Sequence, residues 1–134
     1  MLKTINQDNY VDEAEKVIKT LKGRKNQRNG REIQMVTTSK IRSLLAMTSD
    51  IYNETLNETE SKLPQRLCSR IEYLRVRFIY ESGKDQEGKV KDFVETARIL
   101  DILKEIRGEK ENFLLFARYM EALVAFHKFY GGKD

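Results

Sequence analysis

Cysteine, proline, histidine and tryptophan are almost missing from this 134-residue sequence, which has one Cys, one Pro, one His and no Trp. The single cysteine, Cys68, excludes an internal disulfide framework and suits a reducing compartment. With His127 as the one histidine, no His/Cys cluster exists, so no zinc or other soft-metal site and no cofactor is expected. The one proline, Pro64, and the lack of sustained apolar–polar alternation argue against a sheet. No stretch approaches the ~20 apolar residues of a membrane span. Residues Met1 to Asp8 carry no apolar signal core, so a cytoplasmic protein without membrane contact is expected. Neither a G-x-x-x-x-G-K-[ST] nor a G-x-G-x-x-G run is present, which removes the usual phosphate loops of nucleotide enzymes.

What the sequence does have is helical periodicity. The reading is all-α: one domain, residues 1–134, folded as a compact bundle of about five helices. Asn9 is placed to cap a first helix with Val11, Ala14, Val17, Ile18 and Leu21 on its inner face, ended by Gly23. Residues 22–37 read as a loop, with Ile33, Met35 and Val36 extended along the core and a short strand possible there. A second helix follows Thr38, with Ile41, Leu44, Leu45, Thr48, Tyr52 and Leu56 as its inward stripe. Pro64 suits the first turn of a third, whose stripe is Leu67, Ile71, Leu74 and Phe78 and whose end is Gly83. A fourth spans Val90 to Arg107, with two overlapping apolar sets: Val90, Phe93, Val94, Ala97, then Ile99, Ile102, Leu103, Ile106. The fifth, Glu109 to Tyr130, is apolar on most of its circumference, so it is either surrounded by its own bundle or also covered by another subunit.

Charge is the second signal. Between Lys22 and Arg42 stand Lys22, Arg24, Lys25, Arg28, Arg31, Lys40 and Arg42 against a single acid, Glu32. Of the chain's 25 basic and 21 acidic residues this leaves 18 and 20 elsewhere, so the net charge of +4 comes from that one stretch. It ends in Thr37-Thr38-Ser39-Lys40-Ile41-Arg42, hydroxyls before a helical run. A helix N-terminus leaves unpaired N–H groups and a partial positive charge. With Lys and Arg beside it, phosphate is the natural ligand, and a nucleic-acid backbone the first partner to consider. Lys40 and Arg42 project about 200° apart around their helix, so they do not share one phosphate. On the third helix Arg66, Arg70, Tyr73 and Arg77 form one stripe without an acid of its own, beside the core set. Arginine forks suit phosphate, and such a stripe tracks a backbone; the bland alternative is a solvated face. Arg75 lies off it, within reach of Glu72 or Glu81. No helix-turn-helix spacing is present, so binding independent of base sequence is expected.

Catalytic constellations are hard to find. Cys68 and His127 would form a nucleophile pair only if the fold joined them; packed side chains are the simpler reading of both. Asp50, Glu54, Glu72, Glu81 and Glu121 form no compact acidic cluster in sequence, so a metal-dependent nuclease is the third-ranked alternative and no enzyme activity is expected.

Three segments carry a family resemblance: Thr37 to Arg42, Leu74 to Lys84, and Tyr119 to Tyr130. Together, in this order, they resemble the small subunit of the Csm complex, the type III-A CRISPR interference machine. The likeness runs from about Tyr10 to Tyr130, and the loop at 22–33 is its variable part. The resemblance implies a helical, non-catalytic subunit present in several copies, lined up along the guide RNA–target duplex and holding target RNA. Its partners would be copies of itself, a backbone subunit that cuts RNA, and a large subunit that performs nucleotide chemistry. The expected RNA contacts are Thr38 and Ser39 as helix-terminal donors, with Lys40, Arg42, Arg75 and Arg77, then Arg31, Arg66 and Arg70. The alternative is a helical scaffold subunit without direct RNA contact, its basic stretch paired with an acidic protein.

Overall fold

The computed structural model describes residues 1–133, and among them the chain forms six helices and no strand. They are α1 (Tyr10–Lys22), α2 (Thr38–Leu56), α3 (Gln65–Lys84), α4 (Lys89–Thr96), α5 (Ile99–Glu105) and α6 (Lys110–Phe129). Helix α6 is the axis of the bundle: α1 and α2 pack along it and α5 touches it, while α3 bridges from α2 to α4 and α5. Phe113, Phe116, Met120 and Leu123 of α6 are buried among Ile18, Leu44 and Phe78 from the surrounding helices. Each such side chain contributes roughly 1.5–3 kcal/mol through burial. The near-continuous apolar character of α6 is thus explained by its own bundle, with Phe129 left exposed at its end. No helix among the described residues is long and apolar enough to cross a membrane.

The expected count of five becomes six because the fourth helix is broken. Arg98 adopts a left-handed conformation (φ 56°, ψ 36°) between α4 and α5. The phase jump from Ala97 to Ile99 explains the break: a continuous helix would turn one of the two apolar sets out of the core, whereas the break buries both. The carbonyl of Ala97 accepts instead from the buried Tyr119 hydroxyl at 3.0 Å. A non-glycine left-handed residue costs roughly 1 kcal/mol, and a second, Arg107 (φ 51°), follows the end of α5.

Several smaller expectations change. The inward stripe of α2 is Ile41, Leu44, Thr48, Ile51 and Thr55, while Leu45 and Tyr52 are half-buried and Leu56 is exposed. Thr48 is buried as expected, while Ile51 and Thr55 are additions to the stripe; the hydroxyls of Thr48 and Thr55 bond back to Leu44 O (3.4 Å) and Ile51 O (2.8 Å), which lets threonine fill a core position. The side chain of Asn9 makes no cap to α1; Asn6 accepts from the N–H groups of Asp8 and Asn9 at 2.8 Å each. Gly83 lies inside α3, which continues through Lys84. Pro64 precedes the helix as its N-cap. The 22–37 segment is a tight hairpin-like turn closed by a Lys25–Glu32 bridge, with Arg28 and Arg31 exposed; of its three apolar residues Val36 is buried and Ile33 is exposed.

Candidate nucleic-acid interface

Helices α2 and α3 pack antiparallel, so the start of α2 faces the end of α3. Met47 and Ile51 of α2 and Arg70, Tyr73 and Arg77 of α3 line a groove of about 310 Å³ between them. Its floor is apolar because the core stripes meet there; its walls are cationic because Arg70 and Arg77 lie one position from Ile71 and Phe78. At one mouth three cations from two helices share a single carboxylate. Lys40 Nζ, Arg77 Nη2 and Lys84 Nζ stand 3.8, 3.5 and 3.9 Å from Glu81. The Glu81 side chain is only 12% exposed, against 39%, 40% and 56% for the cations, so the positive groups cover it from solvent. Tyr80, 55% exposed, lies beside the cluster, with Arg77 5.5 Å and Lys84 5.9 Å from its ring centre.

Further along the groove Arg70 pairs with Glu54 of α2, and Arg66 pairs with Glu58 at 2.9 Å. The expectation that the stripe carries no acid of its own is corrected: Glu81, one turn beyond Arg77 on α3, sits on it, and the neighbouring segment supplies Glu54 and Glu58 opposite Arg70 and Arg66. The five cations Lys40, Arg66, Arg70, Arg77 and Lys84 face the three carboxylates Glu54, Glu58 and Glu81, which leaves the groove positive. The Arg66 and Arg70 pairs lie at the surface and contribute roughly 0–1 kcal/mol each, so the fold does not depend on them.

The remaining expected residues lie elsewhere. Arg42 and Ser39 line a shallow depression with Ser43, Ala46 and Lys128, on the side of α2 turned away from Lys40. Arg75 is turned about 200° from Arg77 and pairs with Glu72 at 3.5 Å. Arg31 sits on the exposed hairpin. The expectation that Thr38 offers a free helix-terminal donor is corrected. Thr38 is buried and its N–H donates to the Lys133 carbonyl at 2.7 Å. The Lys40 N–H is taken by the side chain of Thr37, the N-cap, at 3.2 Å. Reading the sequence missed Lys84 and Glu81 as members of the cluster. The signal was present in the spacing: Lys84 follows Arg77 by seven residues and so falls on the same face, provided the helix runs through Gly83.

Cys68 and His127 are not joined. Cys68 lies at the start of α3, within contact of Gly108, whereas His127 is buried at the far end of α6. The 17 residues from Lys110 to His127 separate the two ends by about 26 Å at 1.5 Å each. Among the described residues no three His, Cys, Asp or Glu side chains converge as metal ligands would. Of the carboxylates considered for a nuclease, Glu54, Glu72 and Glu81 are each held by arginine.

The Csm2 Type III-A family model matches residues 9–133. A CRISPR system Cms protein Csm2 from Streptococcus thermophilus is 45% identical over 127 residues, covering 95% of each chain. Proteins of the same description from Mycobacterium tuberculosis (strain ATCC 25618 / H37Rv) and Enterococcus italicus are 39% and 36% identical. The first covers 96% of both chains; the second covers 87% of this chain and 86% of its own.

Proposed function

The chain belongs to the Csm2 type III-A family, and from that premise we propose that, as the small subunit of a Csm effector complex, it grips target RNA in the α2/α3 groove without cutting it. The observation that carries this reading is the convergence of Lys40, Arg77 and Lys84 on one carboxylate at the mouth of a positively charged groove. Arg70 and Arg66 continue the line of cations toward the other end. Contacts of this kind go to phosphate and sugar, so they fix the strand's position and leave sequence recognition to guide pairing. Exposed Tyr73 and Tyr80 give the groove apolar faces on which a ribose or base can rest.

One subunit with a few phosphate contacts binds weakly, at roughly 10⁻⁴ to 10⁻⁶ M. Several copies on one strand would raise this by avidity. The alternative is a scaffold whose groove is closed internally by Glu54, Glu58 and Glu81. A filter-binding series over increasing salt separates the two. Lys40→Ala or Arg77→Ala weakens binding to all RNA sequences alike and lowers the salt slope by about one unit per lost phosphate contact. A wild-type slope near zero, or variants with unchanged slope, would leave the scaffold reading in place.

A further inference from the structure

Six described residues hold their backbone at positive φ, and four of them are glycines: Gly30, Gly88, Gly108 and Gly131. The two exceptions are both arginines, Arg98 and Arg107, one at each end of α5. Positions just past a helix end favour glycine because a Cβ is crowded in the left-handed region. The neighbouring Gly108, at φ 73°, shows that this chain uses glycine at such a point. Both exceptions line the same concavity, of about 530 Å³, together with Lys3, Lys62 and Lys104. The strained backbone thus coincides with cations gathered around one space.

The acids in this concavity are already engaged. Asp101 accepts from Arg98 at 3.3 Å, and Glu109 pairs with Lys62 at 2.7 Å. The carboxylate of Glu105 accepts from Lys3 N–H (2.8 Å), Thr4 N–H (3.0 Å) and the Thr4 hydroxyl (2.7 Å). Among the described residues the side chains of Lys3, Lys104 and Arg107 have no carboxylate partner. The space is of a size that holds a small ligand. It lies at the Lys62 end of α3, whereas the Glu81 cluster lies at the other, so the two are separated by most of a 20-residue helix of about 30 Å.

We infer that this concavity is a second, separate phosphate-binding site, with Arg98 and Arg107 as its forks and Lys104 and Lys3 completing its wall. Guanidinium pairs match the oxygens of a phosphate in a way a single ammonium does not. Three uncompensated cations suit a group of more than one negative charge, such as a polyphosphate or consecutive phosphodiesters, better than one carboxylate.

The test uses ¹H–¹⁵N NMR of the whole chain, titrated in one arm with inorganic pyrophosphate and in another with a single-stranded RNA oligonucleotide. With pyrophosphate, amide shifts centred on residues 98–107 and Lys3 are expected; RNA should move these amides in addition to those of the α2/α3 groove. Pyrophosphate alone producing them would identify a free phosphate ligand, and RNA alone a strand. The double variant Arg98→Gly/Arg107→Gly should bind at least tenfold more weakly while its melting temperature stays at or above the wild-type value, because glycine relieves the backbone. Lys104→Ala, at an exposed helical position, should weaken binding several-fold without touching the junctions. Lys40→Ala/Arg77→Ala should leave pyrophosphate binding unchanged. The inference is overturned if neither probe moves these amides at millimolar concentration, if the glycine double variant binds like the wild type, or if an acidic peptide shifts them and phosphate does not.

Discussion

Thr38 and His127, 89 positions apart, share a hydrogen bond of 3.0 Å that fastens the first turn of α2 to the last turn of α6. The other ring nitrogen, Nε2, lies 2.7 Å from the Val36 carbonyl. A carbonyl only accepts, so Nε2 carries a proton and donates to Val36, while the Thr38 hydroxyl lies between Nδ1 and the Gly132 carbonyl (3.4 Å). Gly132 closes over the ring from outside, its N–H donating to the His127 carbonyl at 2.8 Å.

This arrangement makes Gly132→Ala a sharp probe. A Cβ there would stand 2.0 to 2.6 Å from three ring atoms of His127, so the last residues must lift away. The Thr38 N–H then loses the Lys133 carbonyl. Losing one or two such bonds costs about 1–2 kcal/mol. The melting temperature should fall by roughly 3–6 °C, and hydrogen exchange at the Thr38 amide should accelerate. Unchanged exchange would contradict the placement of this segment.

Glu81 sets the charge of the groove mouth. Glu81→Gln removes the carboxylate shared by Lys40, Arg77 and Lys84. If the groove holds RNA, the freed cations should lower the Kd severalfold at low salt, an advantage that shrinks as salt rises. Titrations of variant and wild type at two ionic strengths would show it; weaker binding by the variant would mean that Glu81 is needed to position the cations.

Glu105 ties the chain start to the bundle. Burial opposes its ionisation, but hydrogen bonds from Thr4 and Lys3 outweigh this and hold the carboxyl below the usual carboxylate range. A folded-state value below the unfolded one gives stability that is complete above the unfolded pKa and lost as pH falls through the folded one. Wild type should therefore exceed Glu105→Gln by about 1 kcal/mol at pH 7, with the difference closing below about pH 4. Urea titrations at several pH values measure it, and a gap that persisted unchanged into acid would count against the assignment.

The break between α4 and α5 is tested by Tyr119→Phe. The buried Tyr119 hydroxyl is the donor to Ala97 O. Its loss leaves a carbonyl unsatisfied beside the core and should cost about 1–2 kcal/mol, with α5 exchanging its amides faster than α6. Burial also pushes the phenol well above its ordinary pKa, so it remains the donor through the alkaline range.

Much of this was legible in the sequence, and particular residues show where legibility stopped. The α3 stripe of Leu67, Ile71, Leu74 and Phe78 is buried as its spacing requires, because large aliphatic and aromatic residues leave no doubt about period. In α2 the spacing placed Thr48 inward correctly, but Ile51 and Thr55 occupy core positions while Leu45 and Leu56 do not, so hydrophobicity misled at Thr55, where a back-bonded hydroxyl serves as an apolar residue. The break at Arg98 was written as two out-of-phase apolar sets, but no glycine or proline marked it. At the groove, Lys40 and Arg77 were found separately; that they meet depends on α2 and α3 packing antiparallel, which no local pattern states. The acids facing Arg66 and Arg70 come from α2 and the segment after it, and were invisible for the same reason.

The central place of α6 has a consequence for biogenesis. The helix around which the others are built is the last of the six to leave the ribosome. Until it emerges, α1 and α2 have no common surface to close on, and the nascent chain presents an open apolar trough. Folding of this bundle is therefore deferred until α6 has been made, when that helix slots into the shell awaiting it.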